Sequence, residues 1–534
     1  MSKRSRSQDR HRPDRDISVD TDVARIRDNP LRRLMEKQRP YVLTRFILLR
    51  LLGLVYFTAF LVAFQQLRPL LGTNGLLPAR GFLDYVVTQY GSPLDAFRQV
   101  PTLLIWFGAS DGMLMTFAGL GLVLSLAVLG GVTNAAVQFT LWLLYLSLSR
   151  VGQIFYGYGW EIQLLETGFL SIFLCPIREF RPFSSAPPAI TMILYRWLIV
   201  RIMLGAGLIK LRGDPCWRDL TCLVYHYETQ PIPSPASLLF HEMPVGFHKF
   251  GVGFNHVVEL IAPLFAFWPR PARLVAGCLF VVFQLTLICS GNLSFLNWLT
   301  IIPAIACFDD DALEKVLPKK LKHWAASRTF PKPTRGHVIT ACVAASFIVF
   351  LSIEPVKNLF SDRQRMNSSF NPLALVNTYG AFGSVDRERF EVILEGTSDT
   401  SANDRSKWLE YEFPCKPGDP KRRPCIITPY HYRLDWQLWF AAKSNVDRQP
   451  WFLHLVDKLL RGEDTPKSLL AYDPFPDKPP RFLRARLYRY RFTRVGDGKN
   501  AWWEREFVRE WMPPIGKDDP RLERMLVAYG LKKP

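Results

Sequence analysis

At 534 residues, with 49% hydrophobic side chains and a formal charge of +20, the chain is too long for one ordinary soluble core, and its apolar residues gather in long runs. Such runs point to a bilayer. The charge would ordinarily suggest nucleic acid or acidic lipid, but no zinc-finger, RNA-binding or basic-zipper pattern accompanies it, and much of the excess lies between apolar runs, where Lys and Arg act as topology signals.

Residues 1–45 are rich in Arg, Asp and Ser, lack apolar periodicity, and are expected to form a disordered cytosolic tail. The run 46–64 is long enough to span and too far from the N-terminus for a typical cleaved signal peptide, so it reads as an uncleaved signal anchor. Further candidate spans are 113–132, 135–148, 161–175, 189–211, 252–268, 274–289, 294–308 and 338–353. Together they predict a polytopic α-helical membrane domain of about nine spans over 46–353, with a lumenal loop at 212–250. Several runs are short enough to be interior or re-entrant helices instead.

With a cytosolic tail, the even-numbered connections should be the basic ones. They hold Arg178 and Arg181, Arg270 and Arg273, and then Lys315, Lys319, Lys320, Lys322, Arg328, Lys332 and Arg335. The ninth span then delivers residues 354–534 to the lumen. That region alternates apolar and polar residues at 390–394, has aromatic β-prone stretches at 408–413 and 488–492, and is punctuated by Pro and Gly at 416–420 and 473–480. It reads as a β-rich lumenal C-terminal domain. Of two Asn-x-Ser acceptors, Asn367 is expected to be accessible for glycosylation, whereas Asn292 lies in a turn pressed against the membrane.

The nine cysteines divide into a membrane set, Cys175, Cys278, Cys289, Cys307 and Cys342, and two close pairs, Cys216 with Cys222 and Cys415 with Cys425. No C-x-x-C occurs, so two local structural disulfides are expected rather than a redox-exchange site.

Charges inside apolar helices mark candidate sites, and here they are Glu161, Glu166, Arg196, Arg201 and Lys210. The plain expectation is an ion pair between Glu166 and Arg201, with Lys210 and Arg196 snorkelling to opposite membrane faces. The sharper one makes a desolvated Lys210 a catalytic base. His241, His248 and His256, near Glu242 and Glu259, fit no metal-ligand spacing and read as membrane-surface residues; neither a metal nor a cofactor is expected. Asp309, Asp310 and Asp311 read as a solvated helix start complementing the helix dipole. No G-x-S-x-G, P-loop or dinucleotide fingerprint occurs, so nothing suggests a lipase, a nucleotide-driven pump or a conventional dehydrogenase.

Several long blocks carry a resemblance: FTAFLVAFQQLRPLLGTNGLLPAR from Phe57, GWEIQLLETGFLSIFLCP from Gly159, RIMLGAGLIKLRGDPCWRDLTCLVYHYETQPIPSP from Arg201, SGNLSFLNWLTIIPAIACFDD from Ser290, NTYGAFGSV from Asn377 and the cysteine loop from Glu412. In these the chain resembles the lipase maturation factor family. The resemblance implies a non-enzymatic endoplasmic reticulum membrane protein, needed for secreted homodimeric lipases of the lipoprotein-lipase type to fold and assemble. It also implies that immature lipase is bound through lumenal regions, including 354–534. No catalytic residue comes with it. A shorter stretch, AGLIKL from Ala206, resembles the membrane helix bearing the catalytic lysine of vitamin K-dependent carboxylases. That likeness keeps a membrane-embedded enzyme with Lys210 as base as the alternative, and a transporter or lipid scramblase is a third class without an inverted repeat to support it.

Overall fold

The structure is a computed structural model that describes residues 41–316, 330–496 and 498–533. Most of the expected tail, and the basic residues Lys319, Lys320, Lys322 and Arg328, lie outside these described residues.

Helix α1, Val42–Leu71, begins before the apolar run does. Its first N–H groups have no acceptor within the helix. Asp310 supplies one, its carboxylate accepting from Val42 at 2.8 Å, Leu43 at 3.0 Å and Thr44 at 3.1 Å. Arg45 is buried and donates to the carbonyls of Ser185 at 2.7 Å and Pro182 at 3.0 Å. Residues 42–45 are therefore helix, not tail, because a partner 268 positions away caps them.

Helices α2 (Asp111–Gly130) and α3 (Ala135–Val151) start on side-chain caps, Ser110 and Asn134. Helix α4, Gly159–Ile172, is followed by α5, Ala189–Arg212. Next come α6 (Val245–His256), α7 (Arg270–Ser290), α8 (Leu296–Ile305), α9 (Arg335–Leu351) and α10 (Ile353–Phe360). Among the described residues, five helices are long and apolar enough to cross a membrane: α1, α2, α5, α7 and the continuous pair α9–α10. Helices α3 and α8 are apolar but shorter.

Two of the nine expected spans are corrected. Residues 252–268 are not one helix: α6 gives way to a π turn at Val257–Ile261 and a 3-10 turn at Ala262–Phe265. Pro263 has no N–H to offer and its ring crowds the carbonyl four residues back, which breaks the regular hydrogen-bond ladder here. Helix α4 has 14 residues with most side chains buried, Glu161 and Glu166 included, and is an interior helix.

The C-terminal region holds a four-stranded antiparallel sheet in the order β4-β3-β5-β6, preceded by a short β1–β2 pair of Ser368–Ser369 with Asn377–Thr378. The sheet strands are β3 (Arg389–Thr397), β4 (Leu409–Glu410), β5 (Phe482–Phe492) and β6 (Trp503–Gly516). Phe390 faces Arg489 and Val392 faces Leu487 across the central pair. The stretch 408–413 contributes only the two residues of β4. Three helices, α11 (Arg433–Ala441), α12 (Pro450–Leu460) and α13 (Pro520–Ala528), make the region mixed rather than mostly β. Leu434, Leu438 and Ala441, then Trp451, Leu455 and Leu459, are buried at helical spacing, which their aromatic-rich surroundings disguise as strand.

The two halves meet at the end of the bundle away from Val42. Gln66 donates to Tyr430 Oη at 2.8 Å and to the His431 carbonyl at 2.9 Å. His454 Nδ1 lies 2.8 Å from the Leu76 carbonyl. At the Val42 end sit Asp309, Asp310, Arg270 and Arg273, the arginines paired with Asp309 at 2.6 and 3.0 Å. Those two basic residues thus have a buried structural partner.

Candidate functional site

Helix α5 carries three buried cations, and each is held by a different neighbour. Arg201 pairs with Glu166 of α4 and donates to the Asn377 carbonyl at 2.7 Å. Glu166 also accepts from the Asn377 N–H at 3.0 Å and the Tyr379 hydroxyl at 2.7 Å, so it ties α4, α5 and the segment after α10 together. Close approach of that segment requires Gly205, where any side chain would meet the Tyr379 carbonyl.

Arg196 and Lys210 do not snorkel. Arg196 donates to the Ala306 carbonyl and the Tyr41 hydroxyl, both at 2.8 Å. The end of α8 leaves that carbonyl free for it, and α5 is mostly surrounded by protein. Lys210 donates to Glu259 at 2.6 Å and Asn255 at 2.9 Å, beneath the Trp217 ring at 4.8 Å. Asn255 in turn donates to Glu259 at 2.9 Å, the two lying four residues apart across the join of α6 and the π turn. Burial of Lys210 therefore has a structural explanation that calls for no reaction. Glu161 meets Arg433 at 2.8 Å and the Trp160 indole N–H at 2.9 Å, and accepts from the Tyr145 hydroxyl.

Both close cysteine pairs are bridged, Cys216 with Cys222 and Cys415 with Cys425, at Cα separations of 4.8 and 5.6 Å. The first loop sets Trp217 over Lys210, and His256 Nε2 lies 2.9 Å from the Trp217 carbonyl. The second is fastened twice: Asp435 accepts from Cys415 N–H at 2.6 Å and Lys416 N–H at 2.8 Å, and the Cys425 carbonyl accepts from Asn292 at 2.9 Å. Burial pushes the Asp435 carboxyl up to about 6, against the pull of those N–H groups. Asn292 is thus a buried tether. Asn367 is exposed, in a left-handed conformation at φ 49°, with its Oδ1 accepting from Gly380 at 3.3 Å.

His241, His248 and His256 do not converge; His248 is buried against Tyr227, and among the described residues no cluster fits a metal ion. Asp309 and Asp310 are buried, not a solvated helix start. The sequence does not mark Asn255, shows Glu259 only beside the histidines, and gives no role to Asn377 and Tyr379, although Gly380 and Gly383 nearby suit a segment packed closely on a helix.

Between α4, α5, α6, α7, α8, α11 and the segment 366–384 lies a cavity of about 730 Å³, within the usual size range of small-molecule sites. Its lining is predominantly apolar and aromatic, with Lys210, Asn255 and Glu259 in one wall.

Residues 43–315 match the lipase maturation factor transmembrane domain and residues 375–513 the lipase maturation factor C-terminal domain. The chain is 48% identical over 506 residues to lipase maturation factor 1 of Bos taurus, covering 90% of each protein. It is 46% identical to lipase maturation factor 1 of Homo sapiens, over 90% of this chain and 89% of that protein. Lipase maturation factor 2 of Gallus gallus is 31% identical over 90% of this chain and 82% of its own length. No solved structure matches.

Proposed function

We propose a function from one premise: the chain belongs to the lipase maturation factor family. The family is named for a maturation factor, not for an enzyme, and its transmembrane domain accords with the long apolar helices seen here.

On our reading the protein resides in the endoplasmic reticulum membrane. There it helps immature secreted lipases, homodimers of the lipoprotein-lipase type, to fold and assemble. The N-terminus is cytosolic and the C-terminal region lumenal, and the client meets the lumenal surface. The observation that carries this is identity of 46–48% spread over nine-tenths of both chains, since likeness of that extent spans the membrane and C-terminal parts together. Two features support the orientation. The disulfides suit an oxidising lumen. The C-terminal region also packs on the end of α1 remote from Val42, whereas exposed Arg178 and Arg181 follow α4 on the connection that Arg45 grips near Val42.

The test is co-expression of a lipoprotein-lipase-type enzyme in cells lacking their own maturation factor. Recovery of secreted activity per unit of lipase mass is the expected result. Unchanged activity with this protein present, folded and in the endoplasmic reticulum overturns the reading. The alternative of Lys210 as catalytic base has no comparable support, because Lys210 is already engaged by Glu259 and Asn255.

A further inference from the structure

The charge pairs do not account for one wall of the cavity. Gln163, Gln284, Asn297 and Thr300 line it and are buried. Gln163 donates to Thr300 at 3.0 Å, and Asn297 donates to Gln284 at 2.7 Å. These bonds use only half of each amide pair. Among the described residues, Gln163 Oε1, Asn297 Oδ1 and Gln284 Nε2 have no hydrogen-bond partner, and all three residues open onto the same space. These atoms are reached by the cavity's own space and are not sealed in packed protein, so the wall offers two acceptors and a donor to whatever fills the cavity.

Charge and access narrow the occupant. Lys210 is neutralised by Glu259, and Lys443, at the far edge, by Asp386. An ionic head would bring an uncompensated charge into an apolar chamber. At the mouth stand Phe247 and Phe250 of α6 and Val282 and Thr286 of α7, all exposed. Helix α7 is a candidate span whose exposed Val282 lies beside this opening, which suits entry from the lipid side of the bundle.

We propose that the cavity binds one uncharged membrane lipid, of monoacylglycerol chemistry, which enters between α6 and α7 and sets its hydroxyl and ester oxygens on Gln163, Gln284 and Asn297. This goes beyond the lipase role and stands on the cavity alone.

The full chain, reconstituted in phosphatidylcholine vesicles, is irradiated with a diazirine-bearing monoacylglycerol and, separately, with a diazirine phosphatidylcholine. Expected is labelling by the first probe within 245–256 and 282–300, competed by unlabelled monoacylglycerol. Ala206→Phe, which fills the cavity from α5, should abolish the labelling. Paired Gln284→Leu and Asn297→Leu changes should reduce it about tenfold, the loss expected for two modest hydrogen bonds. Absence of labelling, equal labelling of these segments by the phosphatidylcholine probe, or failure of unlabelled monoacylglycerol to compete overturns the proposal. Competition needs no variant, so the test holds even where a substitution prevents folding.

Discussion

Arg433 of the C-terminal region donates to Glu161 of the membrane domain at 2.8 Å, with both side chains 1% exposed. The same guanidinium donates to the Phe155 carbonyl at 2.7 Å and lies over the Tyr156 ring at 3.4 Å. Two charges removed from water at a junction hold the halves in one arrangement, because any slippage strands both.

Replacing Arg433 by Met leaves the Glu161 carboxylate buried without its cation, which costs about 3–5 kcal/mol in comparable pairs. Thermal unfolding of the detergent-solubilised protein should fall accordingly. Pairing Arg433→Met with Glu161→Gln should recover much of the loss. A single variant as stable as the parent would show that the junction does not depend on this pair.

Lys210 and Glu259 call for the same double-variant logic, with function as the readout. Lys210→Met alone should destabilise the protein by leaving Glu259 uncompensated. Lys210→Met with Glu259→Gln should restore both stability and lipase maturation. A stable double variant with no maturation activity would instead assign chemistry to the lysine.

Opening the loop between Cys415 and Cys425 by Ser replacement should cost about 2–4 kcal/mol. The damage should reach the junction, since Asn292 holds the Cys425 carbonyl. Alkylation mapping of the native protein should find neither thiol free; finding both reactive in the folded protein would defeat this assignment.

Asp435 gives stability a pH dependence. Its folded value of about 6 lies above the ordinary 3.8, so between the two the folded state binds the proton that the unfolded chain has released. Stability from this group is full below the lower value, declines as pH rises, and levels off once pH passes about 6. At about 1.4 kcal/mol per unit the swing is on the order of 3 kcal/mol. Asp435→Asn, which keeps an oxygen for the Cys415 and Lys416 N–H groups, should flatten the curve measured by denaturant unfolding across this window.

Lumenal placement of the C-terminal region predicts one glycan at Asn367 and none at Asn292, which is buried and tethered to Cys425. Glycosidase treatment should increase mobility by one step, and Asn367→Gln should remove that step. An untreated protein already running at the unglycosylated mass, with its C-terminus accessible from the cytosol, would reverse the orientation.

The sequence by itself determined what depends on local composition. Long apolar runs specify helices wherever they lie, so α2, α5, α7 and α9 could be read within a few residues and α1 in its middle part, and the alternation of β3 and the two close cysteine pairs were legible too. Only the tertiary structure decided which groups meet across the chain. Asp310 caps a helix 268 residues earlier, Arg433 reaches Glu161 across 272, and Glu259 answers Lys210. A buried charge announces in sequence that it needs a partner, but the partner's identity depends on which helices pack together, and no periodicity carries that information. The same limit hid the break at Pro263, where a run apolar enough for a span becomes a π turn, and the cavity, whose walls come from helices of both the membrane domain and the C-terminal region.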